Sequence, residues 1–579
     1  MALCPRLGPQ RFVSTAERLT RLTAALVCFG LAATACSASE GGPLSPRPVP
    51  SVAPTTSTSL PDTTTTAAAA LETTDNTCEA AFCLVYHISP TAFWSDGDPI
   101  TAADFAHTVE MHQNLDSTDT TLRYDLIEAI DVIDAKTFQL SFSASFGAWQ
   151  TLFDRVYPAG EPAGDVVGLP TSGPFDFVEW TEGDQVTITR DPDWWSPADP
   201  ISGDPAGDVE EIRFVFIDTL EEMVDALEGG EVDVFSARPD ASTVSRLETM
   251  ENANFTLAPG PFWEHIDFHH DDPMLSQLWL RQVISLAIDR EKILDRTVRL
   301  LDPTAGPLDN TVFMGDSTGY EAHFEDAHDP DRAERLLVDN GCARGGGGVY
   351  ECDGTRLSFT WASTNDDPAR AEILASVRED LGSVGIEIVA DLRSPSDFVT
   401  RDFLFGGPDV WQLINFSWRA HPEPMPANTT YYCGSAGALN VNRYCSEEVE
   451  DLIRATETIV QPSDRVETYN MADRLYLDEL AVIPLYQKPV LMAWSTELSG
   501  PQPNYALSSD LWNVASWSGK ETIVVALPAE PTAINPLARG DESANVILGT
   551  LLYGAFGMNP SHEYVPVLVE SVEIIEGRG

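Results

Sequence analysis

The sequence predicts an α/β protein of two lobes with mixed sheets. In its first half, the strand pattern EEIRFVFID is followed by a short helix and a second strand, EVDVF. In its second half, the strand RLSFTWAS, a helix through AEILASVREDLGSVG and the strand IEIVADL repeat that order. Units of this kind form parallel crossovers with helices packed on a sheet. A chain of 579 residues is also long enough to bury more than one core.

The composition excludes nucleic acid as a partner. Lys and Arg number 34, whereas Asp and Glu number 90, so the net charge is -56 at pH 7. This charge repels a phosphate backbone. We interpret the acidity as a solvated surface, which bears on solubility and partners rather than on fold.

The first 35 residues have the pattern of a secretory signal peptide. Arginines such as Arg18 and Arg21 precede the apolar run Leu22–Ala33, which is too short to span a bilayer. Small residues then lead to Cys36, an order that resembles the lipobox of bacterial lipoproteins. The resemblance implies lipidation at Cys36, with simple cleavage as the alternative. We therefore expect the body to be held on the extracytoplasmic face of the cell membrane through a lipid anchor.

Residues 36–77 are predicted to be an extended, disordered tether. They are rich in Ser, Pro, Thr and Ala, as in TTSTSLPDTTTTAAAA. Too few apolar side chains are present to offset the entropy of ordering them.

Six cysteines follow the tether as three close pairs. An even number of cysteines in an exported protein predicts disulfides. Metal binding is the alternative, but tight CxxC spacing is lacking and the histidines are distant in sequence, so we expect no metal. Of the fifteen or so connectivities that six cysteines allow, neighbour pairing is preferred because each pair brackets a turn-rich loop. The predicted pairs are Cys78 with Cys83, Cys342 with Cys352, and Cys433 with Cys445.

Residues 78–168 are predicted to form a subdomain of lobe I. Thr101 is a suitable N-cap for a helix, with Asp104 three residues later. The stretch IDVIDAKTFQLSF then alternates as strands do.

The main part of lobe I is predicted over residues 169–265. Its hairpin, Leu169–Trp195, has alternating apolar residues on each strand and a turn at Gly183. A helix from Asp218 to Gly229 follows, for which Asp218 is the predicted cap. Lobe II is predicted over residues 266–491, with a return to lobe I over 492–519.

Three stretches resemble one family, the peptide- and nickel-type solute-binding proteins of ABC importers, or extracellular solute-binding protein family 5. They are AFWSDGDPITAADFAHTVE at Ala92–Glu110, the hairpin, and ALEGGEVDVF at Ala226–Phe235. The resemblance implies a periplasmic-binding-protein-like fold of type II, in which two lobes close about a hinge. It also implies capture of a peptide or similar small solute and its delivery to a membrane permease. Neither a cofactor nor enzymatic activity is implied, and we expect a monomer.

The C-terminal segment 520–579 is predicted to complete lobe I. The family's closing phrase appears as LWNVASW at Leu511–Trp517, where a typical member would end. The residues after it resemble the family's opening, a strand, the turn EPTAINP, a helix and VPVLVES, and that opening is missing from its usual place. We interpret this order as a circular permutation, which is tolerated where termini lie close together. A truncated second copy of the fold is the alternative.

The segment Asp409–Pro424, DVWQLINFSWRAHPEP, resembles the one that holds the ligand's amino group in peptide-binding relatives. An aspartate follows the tryptophan-containing strand in those proteins. Here Trp418, Arg419 and His421 occupy this position. Arg419 is suited to an anionic group rather than an ammonium.

Further candidate ligand contacts are aromatic or acidic. Trp263, Trp411 and Trp418 are predicted walls of the ligand site, with packing in a core as the alternative for each. Glu530 matches a family position near the ligand, and it reaches the cleft only if the C-terminal segment folds back onto lobe I.

Two patterns suggest other chemistry. Gly315–Gly319 matches G-x-S-x-G, but no long helical stripe follows it, so a hydrolase nucleophile is disfavoured. His265, Asp267 and His269 would share one face of a strand, as metal ligands do. We prefer the edge of the cleft or a solvated strand end for them.

The alternative functions for the whole protein are a receptor or structural lipoprotein without a transport role, and a secreted serine hydrolase.

Overall fold

A computed structural model describes residues 78–114, 123–162, 164–325, 327–434, 439–504, 511–537 and 541–577. The predicted signal peptide, tether and lipidation site Cys36 lie outside these residues. The three disulfides have the predicted pairing, Cys78–Cys83, Cys342–Cys352 and Cys433–Cys445.

The strands of the described residues form four sheets. In chain order they are β1 Phe82–Ile88, β2 Ile127–Asp134, β3 Thr137–Phe142, β4 Phe175–Thr181, β5 Gln185–Arg190, β6 Glu211–Phe216, β7 Val234–Ala237, β8 Ala253–Phe268, β9 Ala343–Arg344, β10 Tyr350–Cys352, β11 Thr355–Arg356, β12 Ser358–Thr364, β13 Glu387–Arg393, β14 Leu413–Arg419, β15 Val482–Ser495, β16 Thr522–Leu527, β17 Phe556–Met558, β18 Tyr564–Pro566 and β19 Val569–Glu576.

The α-helices of the same residues lie mostly between strands. They are α1 Ala102–Asn114, α2 Leu220–Gly229, α3 Ala241–Leu247, α4 Leu278–Ala287, α5 Arg290–Arg296, α6 Pro330–Asp339, α7 Pro368–Ser383, α8 Pro395–Phe398, α9 Arg401–Leu404, α10 Glu447–Thr456, α11 Pro462–Asp478 and α12 Glu542–Leu551.

A ten-stranded sheet extends through both lobes, in the order β13-β12-β14-β8-β15-β7-β16-β6-β5-β4. Its two long antiparallel strands, β8 and β15, are shared by the lobes. Lobe I lies on the β7 side, and lobe II on the β14 side. Each lobe has its own hydrophobic core. The fold is therefore the predicted mixed α/β arrangement of two lobes.

Both predicted crossovers are parallel. In lobe II, β12 and β13 are direct neighbours joined through α7. In lobe I, β6 and β7 are joined through α2, but β16 lies between them and pairs in parallel with each. A strand from the C-terminal segment thus occupies the middle of the lobe I sheet.

The remainder of the C-terminal segment also packs on lobe I. Ile523, Ile547 and Leu551 are fully buried in the same core as Phe175 and Ile188 of the hairpin. The hairpin entry comes so close to α12 that a Cβ on Gly173 would lie 2.4 Å from the carbonyl oxygen of Thr550. Circular permutation would account for this arrangement and stays a prediction.

The subdomain of lobe I is a separate four-stranded sheet, in the order β19-β1-β3-β2. Its strands pair in antiparallel fashion, and β1 lies between β19 and β3. Aromatic side chains fill the space under helix α1, where the Tyr86 and Phe138 rings stack at 4.9 Å and Phe105 lies 4.9 Å from Phe138.

The predicted end of α2 at Gly229 is confirmed, whereas its predicted N-cap is wrong by one residue. Thr219, rather than Asp218, is the N-cap, and its hydroxyl accepts from the backbone N–H of Glu222. At the other end the helix stops at Gly229, and Gly230 follows it in the left-handed conformation, with φ of 72°. Thr219 is the residue whose extended backbone places its hydroxyl in front of the first free N–H groups.

Candidate functional site

The candidate site lies where the parallel strands of the two lobes end. In lobe I, β7 runs toward the middle of β8 and β15 and ends at Ala237, opposite Leu491. In lobe II, β14 approaches the same middle from the other side and ends at Arg419, opposite Phe262. The carboxyl ends of the two sets of strands therefore face each other. A crevice outside the carboxyl ends of strands is where α/β sheets bind ligands.

Between these strand ends, β8 and β15 depart from regular pairing. The register shifts between Pro484 and Tyr486, and again between Gln487 and Pro489. Gly260 allows a close approach of the two strands, because a Cβ there would lie 2.7 Å from the carbonyl oxygen of Lys488. Irregular pairing bends strands, and we expect the hinge in this segment.

Two of the predicted tryptophans lie together beside the strand ends. Trp263 of β8 and Trp418 of β14 are cross-strand partners. Trp263 packs with Leu308 and Met314, and Trp418 lies against the same cluster. Trp418 is only half-buried, so this cluster offers an apolar wall to the cleft.

Trp411 and Glu530 have other contacts. Trp411 is fully buried in a lobe II cluster and donates from its indole nitrogen to the carbonyl oxygen of Leu404. Glu530 follows β16, and its carboxylate accepts from the indole N–H of Trp180 at 2.9 Å and from the backbone N–H of Gly183 at 2.8 Å. Trp411 thus packs a core, while Glu530 holds the turn of the β4–β5 hairpin.

Arginines from both lobes lie at the facing strand ends. Arg419 at the end of β14 and Arg238, one residue beyond β7, are both exposed. The guanidinium carbon of Arg419 is 5.9 Å from the centre of the Phe262 ring, and that of Arg238 is 5.8 Å from the same centre.

His421, the third residue predicted at this strand end, carries no charge. Burial, with the neighbouring charge of Arg419, lowers the pKa of His421 to about 4, so His421 is neutral at pH 7.

A buried ion network lies next to Trp263. The carboxylate of Glu264 accepts hydrogen bonds from Arg370 at 3.1 Å and from Lys488 at 2.9 Å. Lys488 also donates to Asp367 at 2.8 Å. Burial by itself would raise the pKa of Glu264, but Arg370 and Lys488 outweigh it and hold this pKa well below its usual range. The network therefore neutralises its own charges.

The lobes also touch through the C-terminal segment. The backbone N–H of Thr318, in lobe II, donates to the carbonyl oxygen of Ser561, in the turn between β17 and β18. Nearby, the His562 ring nitrogen lies 3.9 Å from the Asp316 carboxylate. Burial raises the pKa of Asp316 to about 6 and lowers that of His562 to about 4. The sequence patterns did not single out this contact between the lobes.

The G-x-S-x-G pattern lies in irregular chain. Ser317 is buried between Met314 and Tyr320 in a stretch without a preceding strand, and the next helix begins only at Pro330. A nucleophile elbow requires a sharp turn from a strand to a helix, so this loop lacks the geometry of a hydrolase.

His265 on β8 and His269, one residue beyond the strand, are packed inside the protein. Both are fully buried, so the expected solvated strand end is wrong: β14 and β15 flank β8 at His265, and the His269 ring packs against Trp411. His265 contacts Asp267 at 3.2 Å, and His269 contacts the carbonyl oxygen of Gly406 at 3.0 Å. Within the described parts of the chain, acidic residues, histidines and cysteines do not converge in threes as metal ligands would.

Helices long and apolar enough to cross a membrane are likewise lacking among the residues that the structure describes.

The chain is similar to known solute-binding proteins. Residues 78–438 match the family described as bacterial extracellular solute-binding proteins, family 5 Middle. The oligopeptide-binding protein OppA of Mycobacterium tuberculosis is 25% identical over 440 residues, which are 72% of this chain and 71% of that protein.

Solved structures share the fold. The periplasmic EDTA-binding protein EppA has a TM-score of 0.62 at 21% identity, over 76% of this chain and 85% of that one. The oligopeptide-binding protein AppA of Bacillus subtilis, in complex with a nonapeptide, has a TM-score of 0.52 at 18% identity, over 77% and 88% of the two chains.

Proposed function

Because the chain belongs to the bacterial extracellular solute-binding proteins of family 5, we propose that it captures a peptide or similar small solute and delivers it to the permease of an ABC importer. One observation carries the proposal for the binding step. The carboxyl ends of the lobe I and lobe II strands face each other across the middle of β8 and β15, beside the wall formed by Trp263 and Trp418.

Binding would work by a shift between an open and a closed form. A ligand in contact with both lobes stabilises the closed form by the difference in its affinity for the two forms. The bent middle of β8 and β15 absorbs the rotation as a hinge. The permease then recognises the closed form.

The proposed location is the extracytoplasmic face of the cell membrane, through a lipid on Cys36. Labelling of cells with a palmitate analogue should mark the wild-type protein and leave Cys36→Ser unmarked. Equal labelling of both proteins would argue against this anchor.

Native mass spectrometry of freshly purified full-length protein tests the binding function. We expect a monomer that carries a small molecule, which is released intact after mild denaturation. The emptied protein should regain thermal stability when a library of di- to pentapeptides is added. A protein that purifies empty and gains no stability from any peptide in the library would contradict the proposal.

A further inference from the structure

Two loops from different lobes meet at a narrow seam. Residues 145–149 follow β3 in lobe I, and residues 457–461 join α10 to α11 in lobe II. The backbone N–H of Gly147 donates to the carbonyl oxygen of Glu457 at 2.7 Å. The indole N–H of Trp149 donates to the carbonyl oxygen of Val460 at 3.0 Å. Two hydrogen bonds from lobe I to the backbone of lobe II thus hold the seam.

Gly147 fits the seam because it lacks a side chain. A Cβ at this position would lie 2.3 Å from the carbonyl oxygen of Thr456 and 2.8 Å from that of Ile459. The next neighbour, Cδ of Arg465 at 3.1 Å, also belongs to lobe II. The three closest approaches to Gly147 are therefore all made across the seam.

Each loop is anchored in the core of its own lobe. Phe146 and Trp149 are buried in the lobe I core. Ile453 of α10 and Tyr469 of α11 are buried in the lobe II core. A rotation of the lobes about the middle of β8 and β15 must therefore separate the two loops and break both hydrogen bonds.

Val460 is the apolar part of this contact. It belongs to lobe II by its place in the chain, but its side chain is half-buried against the lobe I core. A cavity of about 390 Å³ lies beside it, lined by residues of both lobes such as Ser145 and Gln461. The lobes therefore touch here over a small area, as domains that move against each other do.

A second contact between the lobes is linked to the first through Trp149. The Trp149 ring packs edge to face on Phe556 of β17, with 5.8 Å between the ring centres. The turn between β17 and β18 carries Ser561, whose carbonyl oxygen accepts from the backbone N–H of Thr318 in lobe II. The loop 145–149 and this turn thus approach lobe II together.

We infer that the loop 145–149 and the β17–β18 turn form a clasp that holds the closed form and is made and broken in each binding cycle. The inference rests on the proposed binding function, because the clasp acts on the closure of the two lobes. Both partners of each contact belong to the protein, so the clasp also forms in part without a ligand. It thereby raises the affinity for every ligand that binds the closed form.

Gly147→Ala tests the clasp, with Gly164→Ala as the matched control in the same subdomain. Neither glycine has a positive φ, and a Cβ on Gly164 would meet no atom within 4 Å. Trp149→Phe is the second variant, because it keeps an aromatic ring and removes the hydrogen bond to Val460.

All measurements use emptied full-length protein. Closure is followed by the radius of gyration from small-angle X-ray scattering, with and without a library of di- to pentapeptides. Affinity for the library peptide that the wild type retains best is measured by titration in native mass spectrometry, and stability by thermal unfolding.

We expect the wild type and Gly164→Ala to become more compact when the library is added. Gly147→Ala should stay expanded and bind about tenfold more weakly, because the overlap with Thr456 bars full closure. Trp149→Phe should lose affinity by about twofold to tenfold, the usual contribution of one hydrogen bond. Without ligand, Gly147→Ala should melt at the same temperature as Gly164→Ala, since opening of the lobes relieves the overlap.

Compaction and affinity of Gly147→Ala equal to those of the wild type would overturn the inference. A Gly147→Ala protein that keeps the wild-type radius but melts well below Gly164→Ala would overturn it too, since the seam would then be a permanent part of the fold. In both cases the receptor function stands if the wild type binds peptides.

If no peptide binds the wild type, the proposed function fails and the clasp is tested on the emptied proteins alone. An emptied wild type that is more compact than Gly147→Ala would support the clasp, and equal radii of gyration would overturn it.

Discussion

Lobe I and lobe II follow the same strand-helix-strand plan but are completed in different ways. Lobe II is formed by the chain between the second half of β8 and the first half of β15. Lobe I takes β16 and α12 from the C-terminal segment, and β16 lies between β6 and β7. Lobe II can thus complete its sheet from continuous chain, whereas the sheet of lobe I is incomplete without β16.

The cores differ as well. The lobe I subdomain is filled by apolar and aromatic side chains such as Tyr86, Phe105 and Phe138. Lobe II contains buried ion pairs, including Glu264 with Arg370 and Glu423 with Arg465. The contrast teaches that the stability of lobe I should depend on the C-terminal segment, and that of lobe II on charge and pH.

The largest effect is expected on deletion of residues 520–579. The deletion removes β16 and leaves β6 and β7 without their shared neighbour. It also removes several buried side chains, such as Ile523 and Leu548, each worth roughly 1.5 to 3 kcal/mol. The total is comparable with the whole stability of a domain, about 5 to 15 kcal/mol. Circular dichroism and denaturant titration should show loss of cooperative unfolding.

A rearranged chain sharpens this test. Residues 520–577 are placed between the tether and Cys78, and the chain ends at Gly519. Under the circular permutation this chain should fold and bind as the wild type does, because residue 577 lies against the backbone of Ala80 and Ala81. A shortened protein that still unfolds cooperatively at the wild-type temperature, with no benefit from the transfer, would favour a truncated second copy.

Glu264→Gln tests the buried charges of lobe II. The change leaves Arg370, which is 3% exposed, without its charged partner, and breaking a buried pair costs about 3 to 5 kcal/mol. The free energy of unfolding from urea titration should fall by that amount.

Glu379→Gln is the matched control, since Glu379 pairs with Arg296 on the surface of the same lobe. The urea concentration at which half of this variant is unfolded should stay close to that of the wild type. If the two changes lowered the free energy of unfolding equally, the buried pair of lobe II would contribute no more to stability than the surface pair.

A smaller effect is expected from the lobe II disulfides. Cys342–Cys352 and Cys433–Cys445 close short loops, and each should contribute about 2 to 3 kcal/mol by restricting the unfolded chain. Variants in which both cysteines of one pair are changed to serine should have a lower melting temperature than the wild type. Non-reducing peptide mapping checks the connectivity, and free thiols at these four positions would contradict it.

The smallest effect concerns pH. The hydrogen bond from His323 to Asp473 raises the pKa of His323. A raised folded-state pKa gives stability that is complete below the unfolded value, near 6.5, and that is lost as pH rises through the folded value.

The free energy of unfolding at pH 6 and pH 8 should therefore fall more in the wild type than in His323→Gln. The other histidines are shared by both proteins, so their contributions cancel in this comparison. If the free energy of unfolding changed with pH equally in both proteins, the charge of His323 would make no contribution to stability.

Much of the fold could be predicted from the sequence because local signals were strong. Alternating residues predicted the hairpin, and the two crossovers followed from strand and helix patterns. The order of strands was not predictable from local patterns, since the place of β16 depends on contacts with residues some three hundred positions away. The shifted cap of α2 reflects competition between adjacent capping residues, Asp218 and Thr219.

The site was predictable only in part. Arg419 and Trp418 could be found because they end a recognisable strand, and their neighbours carry a family pattern. Trp411 has the same residue type but points into a core, a difference that depends on packing. Arg238 and Phe262 were missed, although Arg238 follows the predicted strand EVDVF by three residues; only the register of β7, β8 and β14 brings them together.

The pairing of β1 with β19 has a mechanical consequence. Any pull on the N-terminal stretch enters the body at Cys78 and passes along β1, which is hydrogen-bonded on both sides, to β19 and β3. Force along a strand loads these bonds in shear, many at once, and the Cys78–Cys83 bridge fastens the start of the strand. Tension is thereby taken up in the small sheet of the subdomain, at a distance from the bent middle of β8 and β15, and the hinge can open and close under load.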